Sequence, residues 1–311
     1  MAPIASEHGR IRRVRAYAKV NLGLDVLGSR PDGYHLIDSI FQCIDLHDDI
    51  IFSEDSGIPA GKSVLITDHP KIPTGEDNLI LCAARSFEDA PGMRVALRKR
   101  IPVGGGLGGG SSDAAATFGL MNTLATPSGE TELTRRALRL GADVPFFFTG
   151  GTARVGGIGE RICPLPDPGT HWVLILSPPI ACETARVYRA YDLLGPFDGE
   201  VNSIPRLMEA LAAGDLEEAL TEAANDLQRA AYAAYPALRD FADVVTGRLD
   251  RPAVLSGTGS SLFAVYRERD EALWDWSRLR WELAPRGGRA ILARFRFAPG
   301  WEVLIRKGDS G

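Results

Sequence analysis

A glycine-rich stretch near the middle of the chain has residue types that suit phosphate binding. Glycine has no Cβ, so it tolerates positive φ and lets backbone N–H groups approach an anion closely. An alanine-rich run follows and predicts a helix, whose N-terminus would add unpaired donors and partial positive charge. We expect this helix to be capped by Ser111, Ser112 and Asp113. The phosphate-binding stretch comprises Pro102, Val103, Gly104, Gly105, Gly106, Leu107, Gly108, Gly109, Gly110, Ser111 and Ser112, and it suits a triphosphate better than a monophosphate.

Two common nucleotide motifs do not account for this loop. Gly104, Gly106 and Gly109 satisfy the G-x-G-x-x-G spacing, but a dinucleotide fold would also place an acidic residue at the end of a second strand about 20 residues on. Glu130 and Glu132 lie instead in a turn that opens a helix. The Walker A pattern is absent, since no Gly-Lys-Ser/Thr follows. A flexible glycine linker is the alternative, but a linker would not pass directly into a capped helix.

A single carboxylate lies beside an aromatic run further along the chain. Asp143 follows a predicted helix over residues 130–140 and its stop, Gly141, and it precedes Val-Pro-Phe-Phe-Phe. An Asp before Pro in a turn often has only a structural role. A carboxylate beside an apolar wall and a bound nucleotide would also serve as a general base for a hydroxyl group. The local sequence leaves both roles open.

Composition and charge exclude several classes of partner. With 45% hydrophobic residues, the 311-residue chain can build a folded core. The 35 Lys and Arg against 40 Asp and Glu give a net charge of −5, so there is no general basic surface for a nucleic acid or an anionic membrane. No run is long enough to span a bilayer, and the arginine-rich residues 1–15 lack the apolar core of a leader. We therefore expect no nucleic-acid partner and no membrane partner.

The cysteines and histidines do not form metal or disulfide patterns. Cys43, Cys82, Cys163 and Cys182 are far apart and include no C-x-x-C pair, so we expect reduced thiols and a cytoplasmic protein. The five histidines form no H-x-x-x-H or H-E-x-x-H pair. A zinc site is therefore not expected.

The predicted elements mix strands and helices without regular βαβα alternation, which favours an α+β fold. Turns are expected at Arg30–Gly33 and in the glycine-containing centre of residues 254–266. The basic residues 98–100 are expected mostly at a solvated strand end. The length favours two domains, and a composition shift near residues 155–165 divides the chain into 1–160 and 161–311. Strands are predicted over 14–27, 37–46, 93–97, 172–176, 290–297 and 301–305, and helices over 78–90, 130–140, 202–247 (with breaks at Gly214 and Pro236) and 271–283.

Three separated stretches resemble the motifs of the GHMP small-molecule kinases: Lys19–Leu22, Pro102–Ser112 and Leu255–Ser260. The stretches Arg30–His35 and Gly141–Phe147 resemble the branch of that family whose substrate is a cytidine diphosphate-linked methylerythritol. The resemblance runs from about residue 14 to residue 306. It implies an N-terminal domain like ribosomal protein S5 domain 2, a ferredoxin-like C-terminal domain, and substrates bound in the cleft between them.

The resemblance implies ATP-dependent phosphorylation of the 2-hydroxyl on the methylerythritol moiety. Lys19 and Asp143 would be the catalytic pair, in which Asp143 orients and deprotonates the hydroxyl group. Lys19 would keep Asp143 ionised and offset charge on the phosphoryl group, since such transfers depend mainly on positioning and electrostatic stabilisation. An ordinary exposed strand lysine is the alternative for Lys19.

The resemblance also implies Mg²⁺ on the ATP phosphates, with the hydroxyl group of Ser111 as a protein ligand. Tyr34 and His35 would contact the cytosine base, with Tyr188 stacking across the cleft where relatives usually carry Phe. The full set of implied substrate-binding residues is Asn21, Tyr34, His35, Thr184, Tyr188, Gly257 and Thr258.

Two other functions fit parts of this pattern. One is a different GHMP kinase, acting on mevalonate, homoserine or a sugar, and the Asp-Gly-Tyr-His stretch argues against it. The other is a nucleotide-binding module without catalysis, which the presence of both Lys19 and Asp143 disfavours. We expect a monomer or a weak homodimer.

Overall fold

Two β-sheets organise the part of the chain that the computed structural model describes, namely residues 10–195, 203–214, 216, 220 and 225–304. The strands are β1 (Ile11–Ser29), β2 (His35–Glu54), β3 (Ser63–Thr67), β4 (Met93–Arg98), β5 (Thr152–Gly157), β6 (Arg161–Pro164), β7 (Trp172–Ser177), β8 (Val254–Leu255), β9 (Leu262–Tyr266), β10 (Arg289–Arg294) and β11 (Trp301–Leu304). The helices are α1 (Leu79–Ala84), α2 (Gly109–Leu124), α3 (Glu130–Leu140), α4 (Phe146–Thr149), α5 (Thr184–Leu194), α6 (Ser203–Ala213), α7 (Leu227–Ala234), α8 (Pro236–Thr246) and α9 (Arg269–Leu283).

The first sheet is built on the long antiparallel pair β1 and β2. Its order is β11-β1-β2-β4-β3, and β5 and β6 extend it from another part of β2. A register shift between Tyr17 and Lys19 interrupts the pairing of β1 with β2. Beyond it, Val20 belongs to the core between the two sheets. Because neighbouring side chains alternate along a strand, Lys19 and Asn21 share the opposite face of β1.

The second sheet has the order β10-β7-β9-β8 and is antiparallel throughout. Leu174 and Leu176 of β7 belong to the core that contains the apolar residues of α5, α7, α8 and α9. Val173 and Ile175 belong to the core shared with β1 and β2. Both faces of this sheet are therefore buried, which explains why β7 is a continuous apolar run without alternation.

Helix α2 crosses the centre of the first domain and is buried all round, since every residue from 112 to 121 is buried. Its alanines permit close packing against the sheet and α1. The helix begins earlier than the sequence predicted: Gly108 is the N-cap, with φ of 69°. The prediction that Ser111, Ser112 and Asp113 cap the helix is therefore wrong, because the glycine supplies the left-handed entry and these side chains lie within the first turns.

Other helix and strand boundaries also differ from the predicted ones. Helix α1 ends at Ala84 instead of Ala90 because the chain continues in tight turns before Pro91. Strand β2 extends to Glu54, past the polar residues at 47–49 that interrupt the apolar pattern. The turn at Arg30–Gly33 is confirmed by a 2.9 Å hydrogen bond from the Gly33 N–H to the Arg30 carbonyl. Of the helical stretch predicted over 202–247, residues 202, 215, 217–219 and 221–224 lie outside the described residues.

The α+β organisation predicted from the sequence is confirmed. Strands from both sides of residue 160 join the first sheet, since β6 pairs with β5 and β11 pairs with β1. The division at residue 160 stays a prediction. The four cysteines are free thiols. None of the described helices combines the length and the apolar character that crossing a bilayer requires.

We expect Gly119→Ala to destabilise the protein, although alanine ordinarily favours a helix by about 1 kcal/mol over glycine. A Cβ on Gly119 would lie 2.1 Å from a ring atom of Trp301 in β11. Overpacking of this kind costs roughly 1–3 kcal/mol, so the free energy of unfolding in urea should fall. Gly75→Ala is the control, because its Cβ would meet nothing within 4 Å. Equal stability of the two variants would contradict the packing of α2 on β11.

Candidate active site

The residues singled out in the sequence surround one cleft of about 960 Å³. This is the size of a small-molecule site. Every predicted site residue except Ser112 lines the cleft. Ser112 is buried, and its hydroxyl group donates to the carbonyl of Gly300 at 3.3 Å. Sequence positions as distant as 19, 104, 143, 188 and 258 are thus brought to one place.

The glycine loop is held by the turn between β8 and β9. The Gly104 carbonyl accepts the Ser260 N–H at 3.2 Å, and the Gly105 carbonyl accepts the Ser261 N–H at 3.1 Å. Gly106 has φ of 73°, and a Cβ there would lie 2.0 Å from the Ser256 carbonyl oxygen. Only glycine fits this approach, so the loop and the turn determine each other's conformation.

The start of α2 offers backbone donors to the cleft. The first bond of the helix runs from the Ser112 N–H to the Gly108 carbonyl at 2.8 Å. The N–H groups of Gly109, Gly110 and Ser111 precede it, and these three residues line the cleft. Such groups at a helix N-terminus form an anion-binding site.

Lys19 and Asp143 meet in the cleft as an ion pair. Lys19 Nζ lies 3.5 Å from Asp143 Oδ2, and the lysine side chain is only 4% exposed against 32% for the aspartate. Burial lowers the pKa of Lys19, and the carboxylate of Asp143 opposes that change. The ammonium group also lies 4.2 Å from the centroid of the Phe41 ring. The site thus combines a buried cation with a carboxylate that solvent and substrate can reach.

Asn21 orients this lysine. Lys19 Nζ donates to Asn21 Oδ1 at 2.6 Å, and Asn21 Nδ2 donates to Ser39 Oγ at 3.0 Å. The Ser256 hydroxyl group lies 3.4 Å from Asn21 Oδ1 and donates to the Gly106 carbonyl at 2.9 Å. One short network therefore joins β1, β2, the glycine loop and the β8–β9 turn.

Aromatic and polar side chains converge at another part of the cleft. The His35 ring stacks on Tyr188 with centroids 4.5 Å apart, and its Nε2 lies 2.7 Å from Asp192 Oδ1. Burial, followed by the charge of Asp143, raises the pKa of Tyr188, so its hydroxyl group stays protonated. Tyr34 is 60% exposed beside this pair. His35 and Tyr188 thus contact each other, whereas the sequence placed them on opposite sides of a base.

Thr184 and Thr258 join the two walls of the cleft, since their hydroxyl oxygens lie 3.3 Å apart. Gly257 is close to the ion pair, because a Cβ added to it would lie 3.7 Å from Lys19 Nζ. The β8–β9 turn therefore reaches the Lys19–Asp143 ion pair as well as the glycine loop.

The cleft wall contains a buried charge cluster that was not predicted from the sequence. Lys99 is 4% exposed, and its Nζ lies 2.5 Å from Asp48 Oδ2 and 2.8 Å from Asp113 Oδ2. A solvated strand end was expected for most of residues 98–100, and Lys99 is an exception, because two carboxylates hold it inside. Asp113 Oδ1 is buried without a partner, and burial raises the pKa of this carboxyl group to about 7. Asp113 follows the glycine loop directly, but nothing in the sequence marks Asp48.

Asn225 is a second residue that the sequence analysis missed. Its Nδ2 donates to the carbonyls of Leu255 and Gly257 at 2.8 and 2.7 Å. The next residue, Asp226, accepts the Val26 N–H at 2.7 Å. This dipeptide therefore ties the β8–β9 turn to β1. It lay within a stretch predicted as continuous helix, so no spacing distinguished it.

Comparison with known proteins identifies the class. The models for the GHMP kinases N terminal domain and the GHMP kinases C terminal domain match residues 78–151 and 207–275. A homoserine kinase from Cytophaga hutchinsonii, 17% identical, shares the fold with a TM-score of 0.71 over 97% of this chain and 100% of that one. The fold is that of a GHMP kinase, as the sequence resemblance implied, and the predicted two-domain fold is confirmed.

The particular family follows from more similar proteins. The 4-diphosphocytidyl-2-C-methyl-D-erythritol kinase of Lachnoclostridium phytofermentans is 33% identical over 91% of this chain and 96% of its own length. That of Symbiobacterium thermophilum is 36% identical over 83% and 91%. A crystal structure of 4-(cytidine 5'-diphospho)-2C-methyl-D-erythritol kinase, 33% identical, superposes with a TM-score of 0.72 over 93% of this chain and 99% of that one. The chain belongs to the 4-diphosphocytidyl-2-C-methyl-D-erythritol kinase family.

We expect Asn225→Ala to lower both stability and turnover. Two buried carbonyls of the β8–β9 turn would lose their donor, at a cost of about 1–3 kcal/mol in the free energy of unfolding, and the turn beside Lys19 would loosen. Asn225→Asp should be at least as harmful, since an ionised carboxylate cannot donate to those carbonyls. Urea denaturation and steady-state kinase assays would measure both effects. Wild-type stability and kcat in Asn225→Asp would contradict this role.

Proposed function

We propose that this kinase transfers the γ-phosphoryl group of ATP to the 2-hydroxyl group of 4-diphosphocytidyl-2-C-methyl-D-erythritol, in the non-mevalonate pathway to isoprenoid precursors. The relatives that carry this name cover most of the chain. The observation that supports the chemistry most directly is the Lys19–Asp143 pair, which lies in the same cleft as the glycine loop.

Asp143 is the proposed general base. Its partly exposed carboxylate can accept the proton of the substrate hydroxyl group while the hydroxyl oxygen forms the new bond to the γ-phosphorus and the bond to ADP breaks. Lys19 pairs with Asp143 and offsets negative charge on the phosphoryl group in transfer. Because Lys19 is buried and already oriented by Asn21, little reorganisation accompanies the reaction.

The glycine loop and the start of α2 are the proposed ATP phosphate site. Within the loop, the carbonyls of Gly104 and Gly105 accept from N–H groups of the β8–β9 turn, and the Leu107 carbonyl accepts from the Lys19 N–H. The loop's own amides and those of Gly109, Gly110 and Ser111 can therefore serve the nucleotide.

Mg²⁺ is the proposed metal cofactor. Mg²⁺ prefers oxygen ligands and is commonly held by substrate phosphates, waters and one or two protein groups. Ser111 offers a hydroxyl oxygen at the cleft end of α2. The described residues contain no group of three or more His, Cys, Asp or Glu that could hold a metal alone, which fits an ion that arrives with the nucleotide. When bound, it would neutralise phosphate charge.

His35, Tyr188 and the exposed Tyr34 are the proposed cytidine site. Imidazole can donate to or accept from a pyrimidine edge, and the aromatic rings offer stacking faces. Thr184 is one helical turn from Tyr188 on α5, and Thr258 is next to Gly257, which lies close to Lys19. Their hydroxyl groups, 3.3 Å apart, are therefore available to a substrate that reaches both ends of the cleft. Asn21 acts on the reaction mainly through Lys19.

Asp143→Asn should separate catalysis from binding. Loss of the base should lower kcat by about 10²–10⁴-fold, while the KM for ATP changes little because the glycine loop is untouched. An ADP-release assay with the cytidyl substrate measures both constants. Asp68→Asn, an exposed carboxylate outside the cleft, should leave both unchanged. Full turnover in Asp143→Asn would refute the assignment.

The same assay tests the substrate. ADP release should require the cytidyl compound and fail with mevalonate or homoserine. Tyr188→Ala should raise the KM for the cytidyl substrate by roughly tenfold or more, since base stacking is worth about 1–3 kcal/mol, without raising that for ATP. Tyr188→Phe keeps the ring and should stay near wild type. An equal effect of both variants would instead assign the contribution to the hydroxyl group.

A further inference from the structure

The side chain of His35, at the start of β2, is held by three side chains of α5. Its ring stacks on that of Tyr188 with an interplanar angle of 24°, and it meets the Tyr191 ring edge-on with centroids 6.0 Å apart. Its Nε2 lies 2.7 Å from Asp192 Oδ1. Positions 191 and 192 follow position 188 by three and four residues, so the three side chains share one face of the helix. The imidazole packs against that face.

These contacts fix the orientation of the imidazole completely. The two tyrosine rings set the plane of the His35 ring. The contact with Asp192 sets the rotation of the ring within that plane, because a ring nitrogen forms its hydrogen bond along an in-plane direction. A side chain that is already ordered in this way loses little conformational freedom when a ligand binds.

The Asp192 contact also selects the tautomer of the neutral imidazole. An ionised carboxylate can only accept a hydrogen bond, so Nε2 of His35 carries the proton and Nδ1 keeps a lone pair. None of the described residues forms a hydrogen bond with Nδ1, and His35 has no atom among the polar atoms that are buried without a partner. Since His35 lines the cleft, a ligand there can reach Nδ1 and finds an acceptor.

An acceptor at this point distinguishes the two common pyrimidines. Cytosine carries an amino group, a donor, where uracil carries a carbonyl oxygen, an acceptor. The Nδ1 lone pair can therefore accept a hydrogen bond from cytosine and faces a second lone pair on uracil. Because the hydrogen bond lies in the imidazole plane, a base bound in this way is nearly parallel to the Tyr188 ring as well.

We propose that Asp192 is a positioning residue that makes His35 selective for a cytosine base over a uracil base. Asp192 holds the Nε2 proton of His35, and Nδ1 accepts a hydrogen bond from the cytosine amino group. This role rests on the function proposed above, in which His35 contacts the base of the cytidyl substrate, and it adds the residue that sets the selectivity. The Asp192 side chain is 58% exposed, so it can be replaced without disturbing a core.

Nitrogen-15 NMR of the five histidines tests the tautomer without any turnover. The His35 signals are assigned by their loss in His35→Gln. At a pH where the nitrogen shifts show a neutral ring, wild-type protein should have a protonated Nε2 and an unprotonated Nδ1. In Asp192→Ala the two shifts should move toward each other, because the second tautomer becomes populated. Asp240→Ala, which removes an exposed carboxylate of α8 outside the cleft, should keep the wild-type spectrum. A wild-type ring protonated at Nδ1, or a tautomer unaffected by Asp192→Ala, overturns the proposal.

Titration with CDP and with UDP tests the selectivity. CDP should shift the Nδ1 signal of His35, since that nitrogen gains a hydrogen bond, and CDP should bind more tightly than UDP. In Asp192→Ala the ratio of the two Kd values should fall roughly tenfold or more, because the ring can then change tautomer for uracil without giving up a hydrogen bond to a carboxylate. Equal binding of CDP and UDP to wild-type protein, or an unchanged ratio in the variant, would refute this role of Asp192.

Steady-state kinetics separate this role from the proposed function. Asp192→Ala should raise the KM for the cytidyl substrate and leave kcat and the KM for ATP near wild type, because Asp143 and the glycine loop are untouched. A wild-type protein that fails to phosphorylate the cytidyl substrate would refute the proposed function alone, since the tautomer and the two titrations are measured without a reaction. A fall in kcat with an unchanged KM would contradict a role in recognising the base.

Discussion

A backbone loop can direct its amides at a polyanion only if its carbonyl groups find donors elsewhere. In this protein most of those donors come from the β8–β9 turn. The carbonyl of Gly104 accepts from Ser260 and Cys182, that of Gly105 from Ser261, and that of Gly106 from the Ser256 hydroxyl group. The conformation of the glycine loop therefore depends on the β8–β9 turn. The core between the two sheets is as well buried as the other two hydrophobic cores.

The buried charge of Lys19 imposes a related constraint. Taking an ammonium group out of water is costly unless neighbouring groups offset the loss of hydration. Asp143 supplies the opposite charge, Asn21 a hydrogen-bond acceptor, and Phe41 an aromatic face. These three side chains come from three elements, so the lysine is held where β1, β2 and the segment before α4 converge. The Asp143 carboxylate remains partly exposed whereas the Lys19 side chain is buried, so the pair is asymmetric.

The sequence predicts the parts of the site that depend on local chemistry. Short motifs contain the glycine loop, Lys19 and Asp143, and the residue types in these motifs indicate a chemical role. The structure brings all of them to one cleft. Features that depend on register were not predictable. The cluster of Lys99 with Asp48 and Asp113 needs β2 to continue past residues 47–49 and to pair with β4, and that pairing is set by tertiary packing. Asn225 acts on carbonyls thirty and more residues away, and no periodicity reveals such a contact.

The two ends of the cleft differ in how strongly the fold constrains them. The phosphate end is built from backbone: positive φ at glycines, a helix N-terminus and carbonyls bonded across the domains. The end that contains His35 and Tyr188 is built from side chains on β2 and α5, which can change without disturbing that framework. A homoserine kinase with 17% identity shares this fold. The stacked rings of His35 and Tyr188, and the Asp192 carboxylate 2.7 Å from the imidazole Nε2, are therefore side chains whose exchange would leave the backbone framework intact.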